Sequence, residues 1–184
     1  MVIVMLLISA LMAVLYVGAV IVRRYMAYRR GDLWAEDILP VSISAMVFDL
    51  PRPWQWLWTA WLSLTAICLA PALFETLPEE WQWVGFLTVC MLLFTAANPL
   101  VVGRRNPLHN FTGVSAGVLS QICVLNICWP WLLPWGLMLV VLGRETFPDK
   151  PLSAWLEGRG TLVAEIVCSV AIYGALFVTL YTLW

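Results

Sequence analysis

Charge is what this sequence has least of. Acidic and basic side chains make up 11% of its 184 residues, with one histidine, His109. Soluble domains carry roughly a quarter charged residues, so a water-soluble globule is excluded. The ten basic residues are scattered over short loops and form no basic face, which excludes a nucleic-acid partner. A single histidine without closely spaced cysteine or carboxylate neighbours makes no local zinc motif, so no metal and no cofactor are expected. The five cysteines (Cys68, Cys90, Cys123, Cys128 and Cys168) all fall inside apolar runs, where cysteine acts as a small hydrophobe. Free thiols follow, with no disulfide framework. Internal repeats and low-complexity tracts are also lacking.

What the sequence has in abundance is apolar length: 62% of the residues are hydrophobic, in runs close to the roughly 20 residues that a helix needs to cross a bilayer. The expected fold is all-α, a single polytopic membrane helix bundle with transmembrane helices over about residues 2–22, 54–74, 81–102, 111–128, 131–142 and 161–184. The first run has no basic region before it and no small-residue cleavage site after it, so it reads as a retained helix and not a secretory signal. Residues 38–48 are apolar but too short to span, which suggests an interfacial or re-entrant helix. The apolar stretch 111–142 is too long for one ordinary crossing. Pro130 and Pro134 disfavour a continuous helix there, and Trp129, Trp131 and Trp135 suit a turn at the membrane surface. With six crossings all ten basic residues (Arg23, Arg24, Arg29, Arg30, Arg52, Arg104, Arg105, Arg144, Lys150 and Arg159) fall on one side, whereas a five-crossing chain puts three of them on the other. Basic flanks resist translocation, so that side is cytoplasmic and both termini lie outside. The acidic loop Glu75, Glu79, Glu80 suits the outer face.

Ionisable and polar residues at membrane depth are functional candidates. Glu165 lies about one turn inside the last helix, where a carboxylate either faces the interior or reaches back to Arg159. His109 can donate, accept or ligate near neutral pH, yet a lone juxtamembrane histidine more often caps a helix. Asp49 and Arg52, three apart, suit a surface ion pair. Asn98-Pro99 suggests a kink. Gln121 and Asn126 suit contacts between helices. With this topology Ser42, Ser44, Asp49, Arg52, Asn98, Arg104, Arg105, His109, Asn110 and Glu165 share the depth of the inner leaflet, as expected of a ligand-binding polar pocket open to the cytoplasm or that leaflet.

The layout of Val41-Ser42-Ile43-Ser44-Ala45, then Arg52, Asn98-Pro99, His109 and Glu165 with Gly174 resembles small uncharacterised bacterial six-helix membrane proteins. These are similar to the Frag/DRAM-like group and, more distantly, to the CREST membrane hydrolases. The resemblance spans about residues 38–178 and implies a multi-pass protein of the bacterial inner membrane. A CREST hydrolase sets a serine, an aspartate and several histidines around zinc; Ser44, Asp49 and His109 match part of that set. Three functions are therefore open. The first is a non-enzymatic protein that binds, senses or moves a membrane lipid or small amphiphile. The second is a membrane hydrolase or transferase acting on a lipid headgroup, with Glu165 or Asp49 as acid/base assisted by His109. The third is a structural subunit, for which Gly113 and Gly117 offer a small-residue face suited to a homo-oligomer.

Overall fold

A computed structural model describes residues 1–99, 106–136 and 159–183. Among these residues every regular element is helical. The long elements are α1 (Val2–Arg29), α2 (Trp56–Thr76), α3 (Gln82–Ala97), α4 (Pro107–Cys128) and α5 (Arg159–Leu183). Short 3-10 turns cover Ala35–Asp37, Ser44–Asp49 and Arg52–Trp54 before α2, Glu79–Trp81 before α3, and Trp129–Leu132 after α4. Among the described residues five helical stretches are long and apolar enough to cross a membrane. Arg104 and Arg105, residues 137–142 of the expected fifth crossing, and the loop 143–158 lie outside the described residues.

Several helix ends differ from expectation, and local chemistry explains each. α1 runs past residue 22 to Arg29 because nothing in that stretch breaks a helix. It stops at Gly31, whose φ of 81° only glycine adopts at no steric cost. The amide of Gly31 bonds Tyr28 O and that of Asp32 bonds Ala27 O, the paired bonds of a Schellman cap. α3 ends at Ala97 and not near 102, since Asn98 precedes Pro99 and leaves the helical region, with φ −118° and ψ 65°. Asn98-Pro99 thus ends the helix and does not kink it. α4 begins at Pro107, four residues before the expected start at 111: Asn106 is its N-cap and accepts from the His109 amide at 3.1 Å, with proline in the first turn. His109 is therefore helical and not part of a loop.

The largest difference is at 38–48. In place of a short helix, residues 35–54 form a strap of 3-10 turns across one end of the bundle. Prolines 40, 51 and 53 withhold backbone donors, and the Ser42 hydroxyl accepts from the Ala45 amide at 3.0 Å, a local bond that competes with helix. Pro40, Ala45, Met46 and Val47 are buried beneath the strap.

Paired contacts fix the direction of each helix. Ser9 bonds Thr65 O while Trp61 bonds Met12 O, so α1 and α2 are antiparallel. Thr59 reaches Ala96 O at one end of α2, and Leu73 and Leu77 cover Gly85 at the other, making α2 and α3 antiparallel. Thr95 meets Thr112 and Thr88 meets Cys123, so α3 and α4 are antiparallel too. Ser9 meets Tyr173, and Val20 packs with Leu162, which sets α5 antiparallel to α1. α4 and α5 are the exception. Cys168 lies beside Gly117 and Gln121, and Trp131 beside Gly174, so numbering rises the same way in both. α4 consequently finishes, and α5 begins, at opposite ends of the bundle.

Between transmembrane helices close packing and hydrogen bonds replace the hydrophobic effect as the cohesive force. Ser9, fully buried, joins three helices: its hydroxyl donates to Thr65 O at 2.9 Å and accepts from the Tyr173 hydroxyl at 2.6 Å. The five cysteines are free thiols.

The face of Gly174 is filled by the Trp131 ring, with which a Cβ there would clash. Gly174→Ala should therefore lower the thermal stability of the detergent-solubilised protein by about 1–3 kcal/mol, the usual cost of overpacking. In a Trp131→Ala background the same change should be neutral or stabilising; equal losses in both backgrounds would rule out the ring contact as the cause.

Candidate functional site

α1 and α3 finish, and α2, α4 and α5 start, at the same end of the bundle. This end also carries Arg23, Arg24, Arg29, Arg30 and Arg52, and the sequence-derived candidates among the described residues gather here in two clusters.

The first cluster lies where the strap meets α1 and α5. Glu165 is half-buried, and its Oε2 accepts from the Ile43 amide at 2.5 Å. One turn earlier on α5, the Leu162 amide donates to Val41 O at 3.1 Å. On the other side of the strap, Arg24 Nε straddles the Asp49 carboxylate at 2.8 and 2.9 Å, and Arg24 Nη1 donates to Asp37 O at 2.9 Å. Arg23 donates to the carbonyl of Asp49. Asp49 thus pairs with Arg24 from α1 and not with Arg52, which is exposed. The expected pair three residues apart loses because Pro51 and Pro53 hold that stretch in turns, whereas α1 brings two guanidinium groups directly onto Asp49. Ser42 is buried in its bond to Ala45, and Ser44 is half-buried beside it.

The second cluster lies at the α3–α4 corner. His109 is 3% exposed. Its Nδ1 is 2.7 Å from Asn98 O, and since a carbonyl only accepts, Nδ1 carries the donated proton. Asn106 Nδ2 donates to Asn98 O and Pro99 O, both at 3.3 Å. The imidazole packs against Trp58 with ring centroids 5.8 Å apart. Trp58 is buried, and its indole N–H has no protein partner among the described residues. Asn110, next to His109, faces outward.

Among the described residues no hydrogen bond or ion pair joins any two of Asp49, His109 and Glu165, nor do three metal-ligating side chains converge. Each of the three holds a different piece of main chain or its partner arginine. Gln121 behaves as a helix-joining residue: its amide donates to Cys168 O at 3.4 Å and its carbonyl accepts from Trp135 Nε1 at 2.8 Å. Gly113 and Gly117 face Thr95 and Cys168 of the same chain. An apolar groove of about 370 Å³ at the opposite end, between α1 and α5, is lined by Ile3, Phe177, Val178, Leu180, Tyr181 and Thr182.

Sequence reasoning missed Arg23, Arg24, Asn106 and Trp58. Asn106 had a signal, an asparagine directly before proline at a helix start. The Arg24–Asp49 pair had none, because no local rule links positions 25 apart.

The chain matches no protein-family model, no curated protein and no solved structure.

The Arg24–Asp49 pair is largely shielded from solvent, with side chains 19% and 14% exposed. Asp49→Ala and Arg24→Ala should each destabilise the protein by about 1–3 kcal/mol, the range for losing a charge-assisted hydrogen bond. The double variant should lose much less than the sum. Strict additivity in thermal unfolding would sink the pairing.

Proposed function

We propose that this chain is a six-crossing membrane protein whose arginine-bearing end faces the cytoplasm, and that it binds a lipid or other small amphiphile against the strap. The parallel course of α4 and α5 supports the crossing number: the chain must travel back along the bundle between Cys128 and Arg159. In hydrocarbon such a return is made by helix, because lipid-exposed irregular backbone is not tolerated, and the sequence offers an apolar run up to Leu142 for it. Arginines at the ends of α1 and the strap, and acids at Glu75, Glu79 and Glu80 on the opposite side, favour the cytoplasmic assignment. The starts of α1 and the ends of α5 are then outside.

The observation that carries the binding reading is the two-faced strap. Its inner side is buried on the bundle through Pro40, Met46 and Val47; its outer side presents Leu39, Val41, Phe48 and Trp54, each at least 40% exposed. A segment with polar fixings and outward aromatic groups at headgroup depth is suited to hold an amphiphile that reaches it sideways from the bilayer.

Two measurements test these points. With the native cysteines replaced by alanine, Glu79→Cys should react with a membrane-impermeant thiol reagent from outside. Glu145→Cys should react only after permeabilisation. Reaction of both from outside would remove the sixth crossing. Separately, mass spectrometry of the purified protein should find co-purifying lipid, reduced several-fold in Glu165→Ala, which frees the strap at Ile43; a lipid-free wild type would end the binding reading.

A further inference from the structure

The arginines at this end differ in how their charge is met. Arg24 is neutralised by Asp49, and Arg30 by Asp32 at 3.0 Å. Arg23 is different: it is exposed, and its recorded partner is a neutral carbonyl, that of Asp49. Arg52 is exposed, and among the described residues its side chain meets no carboxylate. Arg29, in the last turn of α1, is likewise exposed without an ion pair among the described residues, but Arg23 and Arg52 are the two attached to the Asp49 turn. Arg23 touches the main chain of Asp49, and Arg52 follows three residues later, at most about 11 Å away along the chain at 3.8 Å per residue. Two arginine side chains bridge that separation easily. On the same stretch Phe48 is 40% exposed and Trp54 54% exposed, so apolar aromatic surface adjoins the charge.

We propose that Arg23 and Arg52, flanking the Asp49 turn, bind the phosphate of an anionic phospholipid, with the acyl region of that lipid against Phe48 and Trp54. The inference rests on the reading of the strap as a lipid-binding surface and adds the headgroup class. Guanidinium forks match phosphate oxygens geometrically. Arg23 keeps most of its five donors after bonding the Asp49 carbonyl. Charge selects the occupant. A zwitterionic headgroup brings its own cation to the site, where two arginines repel it; an anionic one brings net negative charge. The Arg24–Asp49 pair has a supporting role. By neutralising Asp49 it keeps that carboxylate from competing for Arg23 and Arg52.

The test is competitive retention. Full-length protein is delipidated in detergent, then offered equimolar phosphatidylglycerol and phosphatidylcholine, and bound lipid is counted by native mass spectrometry. Wild type should prefer phosphatidylglycerol by tenfold or more, since each surface arginine contributes about fivefold. Arg52→Gln, which removes no side-chain hydrogen bond or ion pair seen among the described residues, should cut the preference about fivefold. Arg23→Gln with Arg52→Gln should abolish it, and Arg52→Lys should retain part. Arg30→Gln, whose charge is already paired, should leave it unchanged. Equal retention of the two lipids by wild type, or an unchanged preference in Arg52→Gln, overturns the headgroup assignment while the binding surface stands. Retention of neither lipid overturns both.

Discussion

A backbone N–H or C=O left unpaired in hydrocarbon costs several kcal/mol, and the arginine end of this bundle is where the chain repeatedly leaves the α-helix. The polar side chains there are directed at that exposed main chain. Glu165 takes the Ile43 amide, Ser42 the Ala45 amide, and Arg23 and Arg24 the carbonyls of Asp49 and Asp37. His109 and Asn106 cover the carbonyl of Asn98, whose helix has just been stopped by Pro99. Without these bonds the main chain of the strap and of the α3–α4 corner would lose its polar partners. The concentration of polar residues at one depth therefore has a first, structural cause, which is that the irregular backbone is concentrated there too.

That cause also explains what the sequence showed and what it concealed. The apolar runs and the arginine clusters are local signals, and they suffice for an all-helical bundle with membrane-length apolar helices and, among the described residues, its arginines at one end. Helix ends were legible only where the punctuation was read fully. Gly31 and the Asn-Pro steps at 98 and 106 mark three of them, although an Asn-Pro step beside an apolar run also suits a kink. The partners of Asp49 and Glu165 were not legible at all. Arg24 and Ile43 become neighbours of these carboxylates only after α1, the strap and α5 have packed, and no spacing rule carries such information. The strap illustrates a related point: its apolar content suggests an α-helix, but prolines and a serine that bonds the nearby main chain decide for 3-10 turns.

Direction of travel is a second constraint with wide consequences. Sequential antiparallel neighbours from α1 to α4 require nothing unusual of the connections. α5 breaks the alternation by lying antiparallel to α1 and parallel to α4, so two helices far apart in sequence close the bundle around the α1–α2 pair. Ser9 sits at that closure and bonds both Thr65 on α2 and Tyr173 on α5. A buried serine in lipid is well suited to this role, because its small volume lets helices approach while its hydroxyl fixes their register. The same economy of size appears where Gly117 admits Cys168 and Gly174 admits the Trp131 ring.

On the proposed reading of the chain as a lipid-binding protein, these two constraints leave one place for a ligand to meet it. On the inner side of the strap, the hydrogen-bonding capacity of Glu165, Ser42 and Asp49 is already directed to the chain itself, and displacing any of them would expose main chain in a nonpolar setting. The outer side has the opposite character: exposed aromatic rings, and guanidinium groups that no carboxylate of the described residues neutralises. A molecule approaching from within the bilayer meets that outer surface without opening the bundle, and an amphiphile can match both halves of it at once. The bonded inner side would then serve the proposed binding indirectly, because a strap fixed at Ile43 and Asp49 presents its outer groups in one arrangement and leaves little to be ordered by a ligand.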